Sequence, residues 1–169
     1  GDQGLKGFEG DLNLLFKLSI KGCNLTSEDV QGLKNVQFSR LNDLDLSQNW
    51  LDDDCIFSIL SSLQKGTIRN LTLRDNQITS IGLGHIAQSD QLFKLELLDI
   101  SDNPIDDEGF EKIAYANLPN LTHLDMVSEH ATQKGIEALE KASLRNLKAV
   151  WVKEGSEALS AKYLVTIQR

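Results

Sequence analysis

The chain is poor in the residues that staple, break or anchor a fold. Its 169 residues include two cysteines, Cys23 and Cys55, two prolines and one methionine. Two thiols cannot build the disulfide framework of a small secreted domain, so a reducing, cytoplasmic compartment is expected. No apolar run nears the roughly 20 residues that span a bilayer, and no basic stretch leading into an apolar one opens the sequence as a secretion signal would. Basic residues are outnumbered as well: 17 Lys+Arg against 25 Asp+Glu leave a net charge of −8 and a pI near 4.8. A binder of nucleic-acid phosphates needs a basic face, so that class is excluded. Any charged partner is expected to be basic.

Reactive chemistry is scarce too. The phosphate loop G-x-x-x-x-G-K-[ST] and the catalytic patterns H-E-x-x-H, G-x-S-x-G and G-x-G-x-x-G are all missing. His85, His123 and His130 are scattered, with no cysteine pair at zinc spacing. Asp52-Asp53-Asp54 and Asp106-Asp107-Glu108 resemble metal clusters at first sight. Neither has the alternating carboxylates and closing glutamate of a calcium loop, and both occupy positions better suited to capping a helix. The acids beside Cys55 would raise its pKa, against a nucleophile. Three N-x-T triplets begin at Asn24, Asn70 and Asn120 but coincide with a repeated pattern. No enzymatic activity, cofactor, metal, small-molecule substrate, nucleic acid or membrane is expected.

What is abundant is self-similarity. The string L-x-x-L-x-[LIMV] recurs from Leu15, Leu41, Ile68, Leu95, Leu121 and Leu147, each start 26 or 27 residues after the last. Eight positions after each start stand Cys23, Asn49, Asn76, Asn103, Glu129 and Gly155. The alternating apolar positions mark a short strand with one buried face. The period then becomes helical at Val30/Leu33, Ile56/Ile59/Leu60, Leu83/Ile86/Ala87, Phe110/Ile113/Ala114 and Ile136/Leu139. Thr26, Asp52, Thr79, Asp106 and Thr132 share one repeat position and predict helix N-caps. Each unit is thus strand, turn, helix, and must be stacked to bury its apolar face. The asparagine suits a buried turn because its amide donates and accepts at once; Cys23 fits there as a small hydrophobe with a weak donor.

These strings resemble the leucine-rich repeat family over nearly the whole chain. The segment from Ile105 to Ala114 is similar to the ribonuclease-inhibitor type, and Cys23 has a touch of the cysteine-containing type. The resemblance implies an α/β solenoid of about six repeats, with a parallel sheet on the concave face and helices on the convex face. Its strand–helix–strand crossovers are expected to be right-handed. Residues 1–169 are read as one domain. Residues 1–14, with Leu5 and Phe8 as core contacts, form the remnant of a preceding repeat or an N-terminal cap. Residues 147–169 form a C-terminal capping repeat whose segment Ser156 to Arg169 closes as an amphipathic helix.

The resemblance also implies a non-enzymatic protein–protein interaction module. Stacked strands would align Ser19, Asp45, Thr72, Asp99, Asp125 and Trp151 in one exposed column, with Lys17, Asp43, Asn70, Leu97, His123 and Ala149 on one side. On the other side stand Lys21, Ser47, Arg74, Ser101, Val127 and Lys153. Adjacent carboxylates beside apolar and aromatic groups make a candidate contact surface: Asp45, Arg74, Leu97, Asp99, His123, Asp125, Val127 and Trp151. The expected partner is a protein with a basic patch. The alternative is a structural spacer within a larger sensor, ubiquitin-ligase adaptor or bacterial effector, the last acting in a host cytosol. Trp50 is read as rim packing. Glu129 and His130 are read as an outward bulge, with a pH-sensitive or partner-contacting loop as the sharper alternative.

Overall fold

A three-residue strand is the recurring element, because only the alternating apolar triplet of each unit can lie flat before the chain turns. The computed structural model describes residues 12–32, 36, 38–141, 144–152 and 163–164. Strands β1 (Lys17–Ser19), β2 (Asp43–Asp45), β3 (Asn70–Thr72), β4 (Leu97–Asp99), β5 (His123–Asp125) and β6 (Ala149–Val152) pair in chain order, all parallel. Between them run helices α1 (Ser27–Gln31), α2 (Asp53–Ser62), α3 (Ser80–Ala87), α4 (Asp107–Ala114) and α5 (Gln133–Glu140). Each helix packs against the next in sequence. The result is a solenoid-like α/β stack.

The core lies between sheet and helices. The central strand leucines Leu44, Leu71, Leu98 and Leu124 are buried, as are Leu51, Ile78 and Ile105 after the turns. The helical stripe faces them through Ile59, Ile86, Phe110 and Ile113. A further column, Phe38, Leu63, Leu92, Leu118 and Leu144, is buried where the chain returns from helix to strand. These residues recur three positions before the repeat starts Leu41, Leu95, Leu121 and Leu147 and five before Ile68, outside both the strand triplet and the helical stripe.

All five predicted caps stand at helix starts. Asp52 accepts from Cys55 N, Thr79 from Ile81 N, Asp106 from Glu108 N and Gly109 N, and Thr132 from Lys134 N. At α1 the carboxylate of Asp29 accepts from both Thr26 N and Thr26 Oγ1, each at 2.9 Å. Each cap satisfies N–H groups that the helix itself cannot.

The buried asparagines link consecutive units. Asn49 Oδ1 accepts from Cys23 N and Leu25 N, while its Nδ2 donates to Ile20 O, Leu46 O and Ser47 O. Asn76 and Asn103 repeat the pattern one and two units on. Each reaches back to the unit before it. One residue before each asparagine the backbone is left-handed: Gln48 at φ 57°, Asp75 at 57° and Asp102 at 58°, with Gly22 at 66° at the equivalent place in the first unit.

Several expectations change. Cys23 is exposed, its thiol 3.5 Å from Lys21 O, so it is not a small buried hydrophobe. One expectation holds: in the fifth unit Glu129 and His130 turn outward, and the residue buried in the turn is Ser128. Its hydroxyl donates toward Asn103 O (3.1 Å) and Ile105 O (2.6 Å). Ser47 and Ser101, expected on the open sheet face, are 3% exposed, because the strands end two residues earlier and the chain has already turned inward. Trp50, read as rim packing, keeps 60% of its surface in water. Within the predicted closing helix, Tyr163–Leu164 form strand β7, antiparallel to β6. The rest of that segment, together with Leu5, Phe8, Leu33 and Lys153, lies outside the described residues.

Candidate functional site

The face of the sheet away from the helices is built by the outer residues of each strand triplet. In β2, β3 and β4 the middle residue is buried and both neighbours are half-buried, while in β1 both neighbours are exposed. The register aligns Ser19 with Asp45, Asp45 with Thr72, Thr72 with Asp99, Asp99 with Asp125, and Asp125 with Trp151. Leu97 pairs with His123 in the neighbouring column. Parallel strands lie about 4.8 Å apart, so Asp99 and Asp125 are adjacent carboxylates.

Two of the acids on this face also hold the backbone. Asp45 Oδ1 accepts from Ser47 N and Asp99 Oδ1 from Ser101 N, each at 3.0 Å. Asp45 Oδ2 accepts further from Ser19 Oγ at 3.3 Å. Partial burial pushes the Asp45 carboxyl upward, but the bonds from Ser47 and Ser19 and the charge of Lys21 outweigh it and hold its pKa below the ordinary aspartate value. Asp45 is therefore ionised at neutral pH.

The remaining candidates spread out. Arg74 lies past the end of β3 and pairs with Asp102 (2.6 Å), so its charge is already compensated. Lys17 pairs with Asp43 at 3.1 Å at the other end of the sheet. His123 is exposed; Thr122 Oγ1 donates to Glu96 O, which leaves its lone pairs for the Nδ1–H of His123 at 2.9 Å. Val127, half-buried, follows β5, where its N–H donates to the buried Ser101 Oγ. Trp151 stands beside Asp125 on one side and Leu164 on the other, so its backbone does not border an open side of the sheet. The structure thus gathers Leu97, Asp99, His123 and Asp125 on β4 and β5. Asp45 lies two strands away and Arg74 in a turn.

The predicted alternative sites resolve into structural roles or exposed groups. Cys55 is buried, and burial, with the Asp52 carboxylate adding to it, pushes its thiol up to about 11; it is no nucleophile at neutral pH. Asp52 and Asp106 cap helices, and Asp53 and Asp107 accept from the following unit. Among the described residues no group of three or more His, Cys, Asp or Glu is placed to hold a metal ion. No helix among them is long and apolar enough to cross a membrane.

No curated protein is significantly similar to the chain. The family model for Leucine Rich repeat matches residues 91–114, which contain β4, the Asn103 turn and α4, and this match supports a leucine-rich repeat family for the chain.

Proposed function

We propose that the chain is a non-enzymatic protein-binding module of the cytoplasm, whose partner carries a basic patch and docks on the exposed sheet face at β4 and β5. The observation that carries this reading is the register of Asp99 against Asp125, which sets two carboxylates side by side next to the half-buried Leu97 and Val127. Two neighbouring carboxylates on an exposed face attract a cationic partner through complementary charge. Leucine-rich repeat modules generally bind proteins, and a stack held by buried amides loses little ordering entropy on docking. The proposed footprint also takes in Asp45 and His123 on the strands, Arg74 in the turn after β3, and Trp151, whose position in β6 pairs with Asp125. The net charge of −8 disfavours nucleic acid and anionic membranes as partners.

One observation favours a second reading. Asp45 and Asp99 each tie down the turn that follows their strand, so part of the acidic column has a purpose without any partner. On that reading the chain is a spacer in a larger sensor, ligase adaptor or effector.

Affinity capture from lysate at low and physiological salt separates the two. Asp99→Asn with Asp125→Asn keeps the acceptor oxygens and removes both charges. The binding reading expects proteins retained by the parent chain, in a salt-sensitive manner, and lost with the double variant. Equal retention by both chains moves the contact off this face, and retention of nothing specific favours the spacer.

A further inference from the structure

The helix starts of successive units are tied to one another by a row of side-chain bonds that alternates in chemistry. At the cap and the residue after it, the units read Thr26-Ser27, Asp52-Asp53, Thr79-Ser80, Asp106-Asp107 and Thr132-Gln133. Hydroxyl and carboxylate caps take turns, and in the first four units the residue after the cap repeats its chemistry. From a hydroxyl unit, the second residue donates forward: Ser27 Oγ to Asp52 Oδ2 at 2.9 Å, and Ser80 Oγ to Asp106 Oδ1 at 2.5 Å. From a carboxylate unit, the second residue accepts from the unit ahead. Asp53 takes bonds from Thr79 N (2.9 Å), Thr79 Oγ1 (2.6 Å) and Gly82 N (2.8 Å). Asp107 does the same with Thr132 N and Thr132 Oγ1 (both 2.7 Å) and Gly135 N (3.1 Å).

We propose that this alternation is a stacking code with a period of two units, in which a carboxylate unit is complementary only to a hydroxyl neighbour, so that a unit stacked on the wrong unit, of this chain or of another copy, is mismatched at the helix caps. The central strand leucines Leu18, Leu44, Leu71, Leu98 and Leu124 are the same in five successive units, as the turn asparagines Asn49, Asn76 and Asn103 are in three, and these cannot tell one neighbour from another. The cap pairs can. A slip by one unit would set Asp53 against Asp106, two carboxylates where one needs a donor, or Ser27 against Thr79, with no carboxylate between them. A slip by two units restores the pairing. Discrimination of this kind works by placing unmatched charge against the wrong neighbour, and it answers the tendency of near-identical repeats to misassemble. The device is independent of the sheet face and of any partner it binds.

A double-mutant cycle in the full chain tests it. Thr79→Asp alone brings a second carboxylate against Asp53 and is expected to lower the melting temperature by about 4 °C or more. Asp53→Ser alone removes the forward acceptor and also lowers it. Combined, the two convert this interface to the chemistry of the Ser27–Asp52 and Ser80–Asp106 interfaces. The carboxylate that Thr79→Asp introduces can cap Gly82 N as Asp106 caps Gly109 N, and Ser80 still faces Asp106. The double variant is expected to recover at least half of the summed loss, whereas Asp53→Ser with Thr132→Asp, which do not meet, should be additive. If Thr79→Asp does not fold, a folded double variant carries the same conclusion. Additive losses in the facing pair, or a double variant no better folded than Thr79→Asp, overturn the code.

Discussion

At the residue scale, single polar side chains satisfy groups that the backbone cannot. Asn76 is 2% exposed and makes four bonds, accepting from Leu51 N and donating to Leu46 O, Leu73 O and Arg74 O. Asn76→Ala orphans Leu51 N, whereas Leu46 O, Leu73 O and Arg74 O keep their bonds from Asn49 Nδ2, Asn103 Nδ2 and Gln48 N. At about 1–3 kcal/mol for one unsatisfied buried group, a loss of about 1–3 kcal/mol is expected in urea unfolding. Glu129→Asn, at the equivalent position of the fifth unit, should shift stability by no more than about 0.5 kcal/mol. There the buried hydroxyl of Ser128 already fills the turn. Equal costs for the two substitutions would contradict this assignment of roles. The asparagine's part was legible from its spacing, since an amide that donates and accepts is what a buried turn needs. Ser128 was not, because one hydroxyl a residue early carries no signal until the turn is folded. Cys23 differs for a related reason: its repeat position suggests burial, but the turn asparagines are buried by bonding back to the unit before them, whereas the Cys23 thiol meets Lys21 O of its own unit.

At the scale of the element, each helix depends on its first turn. The bond from Ser80, then those from Gly109 N and Glu108 N, outweighs burial to hold the Asp106 carboxyl below the ordinary aspartate value. At Asp52 and Asp107 burial pushes the other way, and the bonds from Cys55 and Ser27, and from Thr132 and Gly135, prevail, so both are lowered as well. A carboxylate whose folded pKa is depressed adds stability that is complete above its unfolded value and disappears as pH falls through the folded one. Thermal midpoints should therefore be level above about pH 5 and fall steadily below about pH 4. Asp106→Asn, which keeps a capping oxygen, should make that fall shallower; an unchanged slope would refute the linkage. Gly135 shows how closely the units approach, for a Cβ there would sit 2.7 Å from Asp107 Oδ1 and 3.0 Å from Phe110 Cγ. The caps were legible in the sequence. Their forward bonds to the next helix were not, since those require two helix starts 26 or 27 residues apart to lie side by side.

On the scale of the whole molecule, every strand and helix packs mainly on its neighbours in sequence. Stability in such a stack adds up from units and the interfaces between them. Amides of β3 and β4, which have two or more described strands on either side, are expected to exchange with solvent more slowly than those of β1 and β6. Hydrogen exchange that is slowest at β6 would count against this. Reading along the chain was enough for the strand–turn–helix unit, its period, the helix caps and the in-register column Ser19, Asp45, Thr72, Asp99, Asp125 and Trp151. These follow from local periodicity and from one residue type recurring at one spacing. Folding in three dimensions was needed to turn Ser47 and Ser101 inward, to pair Arg74 with Asp102, to close β7 against β6, and to gather Phe38, Leu63, Leu92, Leu118 and Leu144 into a core column. The first two share a cause: each depends on where the chain goes after a short strand ends, and that path is set by bonds to the neighbouring units, as from Gly22 N to Ser47 O and from Gln48 N to Arg74 O, which no pattern along the chain displays.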